Sequence, residues 1–335
     1  MTSYWFPDPE LCASRSHFSY ETFDDFDQQA ERVQNMDARY TQLTAGKFAG
    51  KSLSLTMKDI TLHIEAGNQS VEAQVNKPVD RYTFCVPLAL SHPFTMFGEK
   101  HEGDWVDINT PKGTVDAVIP SDSVYALIPV SQQAILESVA LVPEAADLLM
   151  ELGHQGAVLK SRDLARSLRS VITTTLETAA QIRSQEEMNL LAQSFILQFG
   201  YTLSIAWLKR ENFSQFVRTA AFERFYYARK HLLEQLRNGS ATDTDNKVLE
   251  PLTHLGSKRS IEQAFSQHIT MGPLTYWRVV RLHNARRKLI DPKRRHQPIG
   301  DIAAEEGFWE FSRFSMQYRK HFGERPSDTR KLANQ

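Results

Sequence analysis

The chain has 335 residues, 41% apolar and 10% aromatic, proportions of a soluble globular protein long enough for two separate cores. Two cysteines, Cys12 and Cys85, exclude a disulfide framework and read as small buried hydrophobes in a reducing compartment. The net charge of −1 conceals an asymmetry: residues 251–335 hold sixteen Lys or Arg against eight Asp or Glu, a net of +8, which leaves −9 for the first 250 residues. A basic end on an acidic body is the electrostatic footprint of a nucleic-acid-binding part joined to something else.

The opening MTSYWFPDPEL is a proline-broken aromatic lead without a period. No basic-then-apolar segment occurs there, so no secretory signal is expected and the expected location is the cytoplasm. DDFDQQAERVQNM reads as a short helix. From Arg39 to about Val130, short apolar or alternating runs such as SLSLTM, ITLHIE, VEAQV and VYALIPV recur between GNQ, NKP, HEGD and NTPKG, the pattern of short strands and turns. The expectation for residues 1–130 is a β-rich sandwich or barrel, a candidate sensor domain. Phe84, Phe94, Met96, Phe97 and Trp105 either line an apolar cavity for a small-molecule effector or fill the sandwich core.

From Ser131 the period becomes helical, with helices expected near 131–150, 161–182, 185–208 and 218–238. Leu164, Leu168, Val171, Thr175 and Leu176 form one stripe; Met188, Leu191, Phe195 and Phe199 form another. Paired stripes make either a bundle core or a homodimer seam, and residues 131–215 are expected to be a helical dimerisation or linker region. Phe195 to Leu208 is interrupted by Gln198, Gly200, Thr202 and Ser204 and falls short of the roughly 20 residues a bilayer needs, so no membrane association is expected. NGSATDTDN (238–246) reads as a polar loop inside the last part, and Lys209–Gln215 as a possible hinge.

Residues 216–335 carry the organising motif. In PIGDIAAEEGFWEFSRFSMQYRKHFGERPSDTR (298–330), Ile299, Ile302 and Ala303 open one helix and Gly307 ends it. Phe311, Phe314, Tyr318 and Phe322 then fall on one face of a second helix, with Trp309, Ser312, Arg313, Met316, Arg319 and Lys320 opposite. An earlier unit repeats the plan: Leu249, Leu252 and Leu255, then Gly256, then SKRSIEQAFSQHI capped by Ser257. Between them PLTYWRVVRLHNARRKLI is a long helix. Two helix-turn-helix units on one connecting helix can enter successive major-groove faces, about 34 Å apart on B-DNA.

These residues resemble the C-terminal domain of AraC/XylS-family transcription regulators. The matching positions run from Ser257 to Phe265, through Arg281, Leu282, Ala285 and Leu289, to Ile302, Ala303, Gly307, Phe308, Ser312, Phe314, Gly323, Pro326 and Arg330. GFW and FGERPSDT are most similar to the subgroup that includes ethanolamine-utilisation regulators. The first unit departs from the family pattern: Pro251 replaces a small helical residue, and Gly256 comes one position late. The resemblance implies an α+β chain with a β-rich front, a helical middle and an all-α C-terminal domain with two helix-turn-helix units. It implies a homodimeric activator that binds promoter DNA, contacts RNA polymerase and responds to a small molecule, with no cofactor.

On the second recognition helix Ser312, Arg313, Ser315 and Met316 are the candidates for base edges, and Arg319 and Lys320 for phosphates. On the first, Arg259, Glu262 and Gln263 match positions where the family contacts bases. Arg forks to guanine O6 and N7, Gln to adenine N6 and N7, and Glu accepts from cytosine N4 or orients Arg259. Ser257 caps its helix and is a candidate phosphate contact, and Lys258 meets phosphate or solvent. Arg281, Arg286 and Arg287 brace the units or meet phosphate; Lys293, Arg294 and Arg295 face solvent or phosphate. Catalytic constellations give an enzyme no residue to rest on: HExxH, CxxC, a P-loop and GxSxG are missing, and the nearest approach to a metal cluster is His92 and His101 with Asp104 and Asp107. The competing reading is a basic protein-interaction module without specific DNA binding.

Overall fold

The computed structural model describes residues 5–6, 15–33, 36–111, 113–140, 142–152, 156–208, 213–216, 218–237 and 248–332. The chain divides into two compact units. One comprises residues 1–40, 49–68 and 73–217; the other comprises 41–48, 69–72 and 218–335. Cys12 and the polar loop 238–246 lie outside the described residues, as does most of the N-terminal lead.

The first unit is built on two antiparallel sheets. The larger contains β1 (Phe18–Phe23), β3 (Gly50–Met57), β4 (Ile60–Gly67), β11 (Ser123–Ser131), β6 (Arg81–Ala89), β9 (Val106–Asn109), β12 (Ala157–Leu159) and β13 (Phe213–Gln215), in that spatial order. The smaller contains β2 (Asp37–Gln42), β5 (Val71–Asn76), β10 (Thr114–Ile119), β7 (Phe94–Met96) and β8 (Glu99–His101). The expected short helix is α1 (Phe26–Glu31), capped by Asp25, whose Oδ1 accepts from the Asp27 and Gln28 amides. The expected hinge ends in β13, which pairs with β12; 209–212 are outside the described residues.

Strand alternation gives the larger sheet two distinct faces. Leu53, Leu55, Leu62, Ile64, Phe84, Val86, Ile108, Ala126 and Ile128 face a core shared with helices. These are α2 (Gln132–Val139), α3 (Pro143–Glu151), α4 (Arg162–Gln181) and α5 (Gln185–Leu208). The 131–150 region is thus two helices, with Pro143 opening the second, where its missing N–H costs nothing. In α4, Leu164, Leu168, Thr175 and Leu176 are buried, whereas Val171 is half-buried; in α5, Met188, Phe195 and Phe199 are buried. Those stripes are therefore core. The opposite face of the sheet is buried too, yet polar: Ser54, His63, Glu65, Thr83, Cys85 and Asp107 lie there. Glu65 accepts from Tyr40 at 2.7 Å, from Gln29 at 3.2 Å and from Tyr125, and its Oε1 lies 3.5 Å from His63 Nε2. Burial pushes the Glu65 carboxyl up, but the hydrogen bond and charge of His63 and the two tyrosine hydroxyls together hold it below the usual carboxylate range.

The second unit is helical: α6 (Ala220–Arg237), a 3₁₀ turn (Glu250–Leu255), α7 (Lys258–Ile269), α8 (Pro273–Ile290), a 3₁₀ turn (Pro292–Arg294), α9 (Ile299–Glu305), α10 (Phe311–Phe322) and α11 (Pro326–Leu332). Two non-contiguous segments complete it. From 69–72, buried Glu72 accepts from Arg229 Nη1 at 2.8 Å and from the Tyr276 hydroxyl at 2.7 Å. From 41–48, the Gln42 carbonyl lies 3.1 Å from Nε2 of both His283 and His321. A carbonyl only accepts, so both imidazoles carry their proton on Nε2. Gln42 Nε2 in turn donates to the Thr44, Gly46 and His321 carbonyls. Among the described residues, no helix is long and apolar enough to cross a membrane.

Candidate nucleic-acid interface

The first helix-turn-helix opens with the 3₁₀ turn rather than an α-helix. Pro251 stands at its start, Leu252 is buried, and Gly256 leaves it at φ +134°, a conformation that favours glycine. Ser257 follows in extended backbone and its Oγ accepts from the Ser260 amide at 3.2 Å, capping α7. Ile261, Ala264, Phe265, His268 and Ile269 form the buried side of α7. Phe265 meets Phe225 of α6 edge-on at 5.0 Å, and His268 meets Phe222 at 5.5 Å. The other side is exposed and holds Lys258, Arg259, Glu262 and Gln263; Ser257 is exposed just ahead of it.

The second unit is held by side chains from α8. Ile302 and Ala303 are fully buried, Gly307 turns the chain at φ +74°, and the Phe308 amide donates to the Ala303 carbonyl at 2.8 Å. Arg281, buried on α8, clamps this turn: Nε donates to the Glu306 carbonyl at 2.5 Å, Nη2 donates to the Gly307 carbonyl, and the guanidinium lies 4.4 Å from the Phe308 ring centroid. Lys288 Nζ reaches Glu305 at 2.6 Å and Glu306 at 2.8 Å, while Arg294 meets Glu305 at 2.9 Å. The hydrogen bond from Lys288, aided by Gln297 and the charge of Arg294, holds Glu305 down at about 2. Arg286 is buried beside Glu324 at 3.4 Å. Arg281 and Arg286 are thus internal braces. Arg294 is half-buried in this network, and Lys293 and Arg295 are exposed.

Phe314, Tyr318 and Phe322 of α10 continue a row begun by Phe308 of the preceding turn, with successive centroids 5.1, 5.5 and 4.7 Å apart. Opposite that row, Ser312, Arg313, Met316, Arg319 and Lys320 are exposed and Ser315 is half-buried. Phe311 differs from expectation. It is 50% exposed, because the first residue of α10 projects beyond the end of the buried row. Trp309, 65% exposed, lies in the turn before α10 rather than on its outer face. Sequence reasoning missed Arg278, which lines a surface hollow with Trp309, Glu310, Arg313 and Gln317. Its spacing of three before Arg281 on α8 was the available signal.

The candidate ligand residues of the first unit separate. Phe94 and Met96 line a small cavity between the sheets. Phe84 points the other way, edge-on to Phe199 of α5 at 4.8 Å. Phe97, in the turn after β7, packs on Phe216 at 5.0 Å, and Trp105 packs on Phe94 and His101. Asp104 pairs with Arg169 at 2.6 Å, and His101 is buried against aromatic rings, burial and the charge of Lys160 holding it down at about 4. Among the described residues, no three His, Cys, Asp or Glu side chains are grouped to hold a metal ion.

Residues 256–332 match a family model described as a helix-turn-helix domain. An activator of the XylDLEGF operon from Pseudomonas putida is 40% identical over 86 residues, which is 25% of this chain and 27% of that protein. A second such activator from the same organism is 37% identical over 86 residues, 55% of its length. The chain therefore spans about a quarter to a half of the curated relatives it matches. Among solved structures, the AraC-like activator CuxR is 15% identical with TM-score 0.41, covering 80% of this chain and 95% of CuxR. ToxT from Vibrio cholerae is 10% identical with TM-score 0.28, covering 90% of this chain and 98% of ToxT.

Proposed function

We propose, from the premise that residues 256–332 are a helix-turn-helix domain of the AraC/XylS type, that the chain binds double-stranded promoter DNA sequence-specifically and activates transcription. The observation that carries this reading is the pair of helices α7 and α10. Each is anchored by a buried apolar side and presents Arg, Gln or Ser groups outward. A recognition helix makes base contacts from its N-terminal residues. Arg259, Glu262 and Gln263 on α7 and Ser312, Arg313, Ser315 and Met316 on α10 take that role, Met316 by apolar contact with a thymine methyl. Arg319 and Lys320, in the last turn of α10, meet phosphates, as do Ser257 and Lys258 at the start of α7.

In this reading residues 1–130 sense a small molecule, 131–215 dimerise the chain, 216–335 bind DNA in the cytoplasm, and the DNA-bound dimer contacts RNA polymerase. Support for a homodimer comes from α5: Leu190, Leu197, Tyr201, Ile205 and Leu208 are exposed along one helical stripe, opposite its buried side. An exposed apolar stripe of that length is covered by a second copy more economically than by water. The test is binding to the chain's own upstream DNA and to random DNA over a range of salt. Specific binding about 10³-fold or more tighter than random, with both falling as salt rises, supports the reading. Equal affinity for both, or none, leaves a protein-interaction module in its place.

A further inference from the structure

Between the two sheets of the first unit lies a cavity of about 40 Å³, room for roughly three water molecules. One end is polar. Register sets it: Thr83 of β6 pairs with Asn109 of β9, and Cys85 with Asp107, so Thr83, Asp107 and Asn109 share the face that looks into the cavity. Thr83 is 4% exposed, Asp107 0% and Asn109 2%. Asn109 Nδ2 donates to Asp107 Oδ2 at 2.5 Å. The remaining oxygens, Thr83 Oγ1, Asp107 Oδ1 and Asn109 Oδ1, have no hydrogen-bond partner. Three unmatched oxygens converging on one space is unusual, because each buried polar atom left unmatched is costly. The other end is apolar, with Phe94 and Met96 in its wall.

We propose that this cavity binds an uncharged small molecule that donates two or more hydrogen bonds, with a vicinal diol or a primary amide as the simplest form. The proposal rests on the reading of the β-rich unit as a sensor and names the ligand class that sensor takes. Hydrogen count comes first: Asn109 Oδ1 can only accept, and Thr83 Oγ1 and Asp107 Oδ1 each have lone pairs open, so a ligand that supplies N–H or O–H matches all three. Charge comes second. Lys77 also lines the cavity and interacts electrostatically with Asp107, so the wall already pairs one base with one acid, which together carry no net charge whether both are ionised or both neutral. An ammonium or a carboxylate ligand would leave a net buried charge, whereas an uncharged donor leaves none. Burial lowers Lys77 to about 8 and raises Asp107 well above the usual carboxylate range.

The experiment is a methyl-NMR titration of the full chain, labelled at its methionine methyls, without DNA. The probes are ethane-1,2-diol, acetamide, ethylammonium and acetate. The diol or acetamide should shift the Met96 methyl saturably while that of Met188, buried in the helical core, stays in place. Thr83→Val should weaken this binding about tenfold, the loss of one hydrogen bond. Ala117→Leu, which fills the cavity wall, should abolish it. An unmoved Met188 signal in each variant reports an intact fold, and should Thr83→Val fail to fold, the probe panel on the unaltered chain still decides. Tighter binding of ethylammonium or acetate overturns the proposal. So does an unmoved Met96 with every probe, which would make the cavity a site for ordered water alone. Because the titration contains no DNA, its failure leaves the DNA-binding reading standing, and failure of operator binding by the unliganded chain sinks that reading alone.

Discussion

Replacing Glu72 by Ala tests the second unit most directly. Glu72 is 1% exposed and Arg229 4%, and the carboxylate takes hydrogen bonds from Arg229 and from Tyr276 of α8. Arg229 also lies 5.2 Å from the Phe225 ring centroid and 5.4 Å from that of Tyr226, so its guanidinium is fixed among rings. Removing the carboxylate from such a buried pair costs about 3–5 kcal/mol, a large share of the roughly 5–15 kcal/mol that holds a domain folded. In a chain of two units a single unfolding curve does not isolate this loss. Amide hydrogen exchange does: the slowest amides of α8 should exchange roughly 10²- to 10³-fold faster or more, with the amides of β6 and β11 as internal reference. Glu72→Gln should cost less, because the Tyr276 hydroxyl keeps an acceptor. Arg229→Leu in the Glu72→Ala background should restore part of the protection, since an apolar pair has no buried charge to satisfy. Protection of α8 within threefold of the parent in Glu72→Ala would refute the reasoning.

The other predictions concern pH, DNA and assembly. Burial holds His321 down at about 4, against the Gln42 carbonyl that pulls it up, and His283 is lowered well below its usual value. The unfolded chain therefore binds more protons between pH 6.5 and 4. The stability of the second unit is full above about 6.5 and falls by about 3 kcal/mol from His321 alone as pH drops to 4; denaturation against pH should show this slope, shallower in His321→Gln. Arg313→Ala, or Arg259→Ala, should weaken operator binding by about 1–3 kcal/mol and relax the choice of one base in a site selection; equal losses on random DNA would reduce either residue to a phosphate contact. Lys320→Ala should weaken all sequences alike and lower the salt slope by about one. Leu197→Asp, on the exposed stripe of α5, should convert a sedimenting dimer to monomer, and an unchanged dimer would place the seam elsewhere.

What could be read in advance follows from where the signal is local. Gly307 and the aromatic spacing from Phe314 to Phe322 fix a turn and a buried helix side within two dozen residues, so the second helix-turn-helix was legible down to its outer polar positions. Phe311 was misplaced because periodicity says nothing about where a neighbouring helix stops. The strands from Gly50 to Ser131 were legible as texture. The burial of both faces of the larger sheet was not, because Glu65, His63 and Asp107 look like solvent-facing residues until their partners on distant strands are known. β12 and β13, three residues each, are too short to carry a period. The same limit explains the cavity: Phe94 and Met96 could be named from one strand, whereas Thr83, Asp107 and Asn109 come together only through the β6–β9 register.

The segments 41–48 and 69–72 bear on how this protein can be cut and recombined. A fragment starting at residue 218 keeps α7 and α10 but leaves behind the Glu72 carboxylate that Arg229 and Tyr276 share, and the Gln42 carbonyl that accepts hydrogen bonds from two imidazoles. Fusions that graft such a fragment onto a foreign partner should yield a less stable module than the parent, since the Arg229 guanidinium loses its buried carboxylate. A graft that also carries the two short segments on a designed loop should recover it. The portable module here is three pieces of chain, and only one of them lies at the carboxyl end.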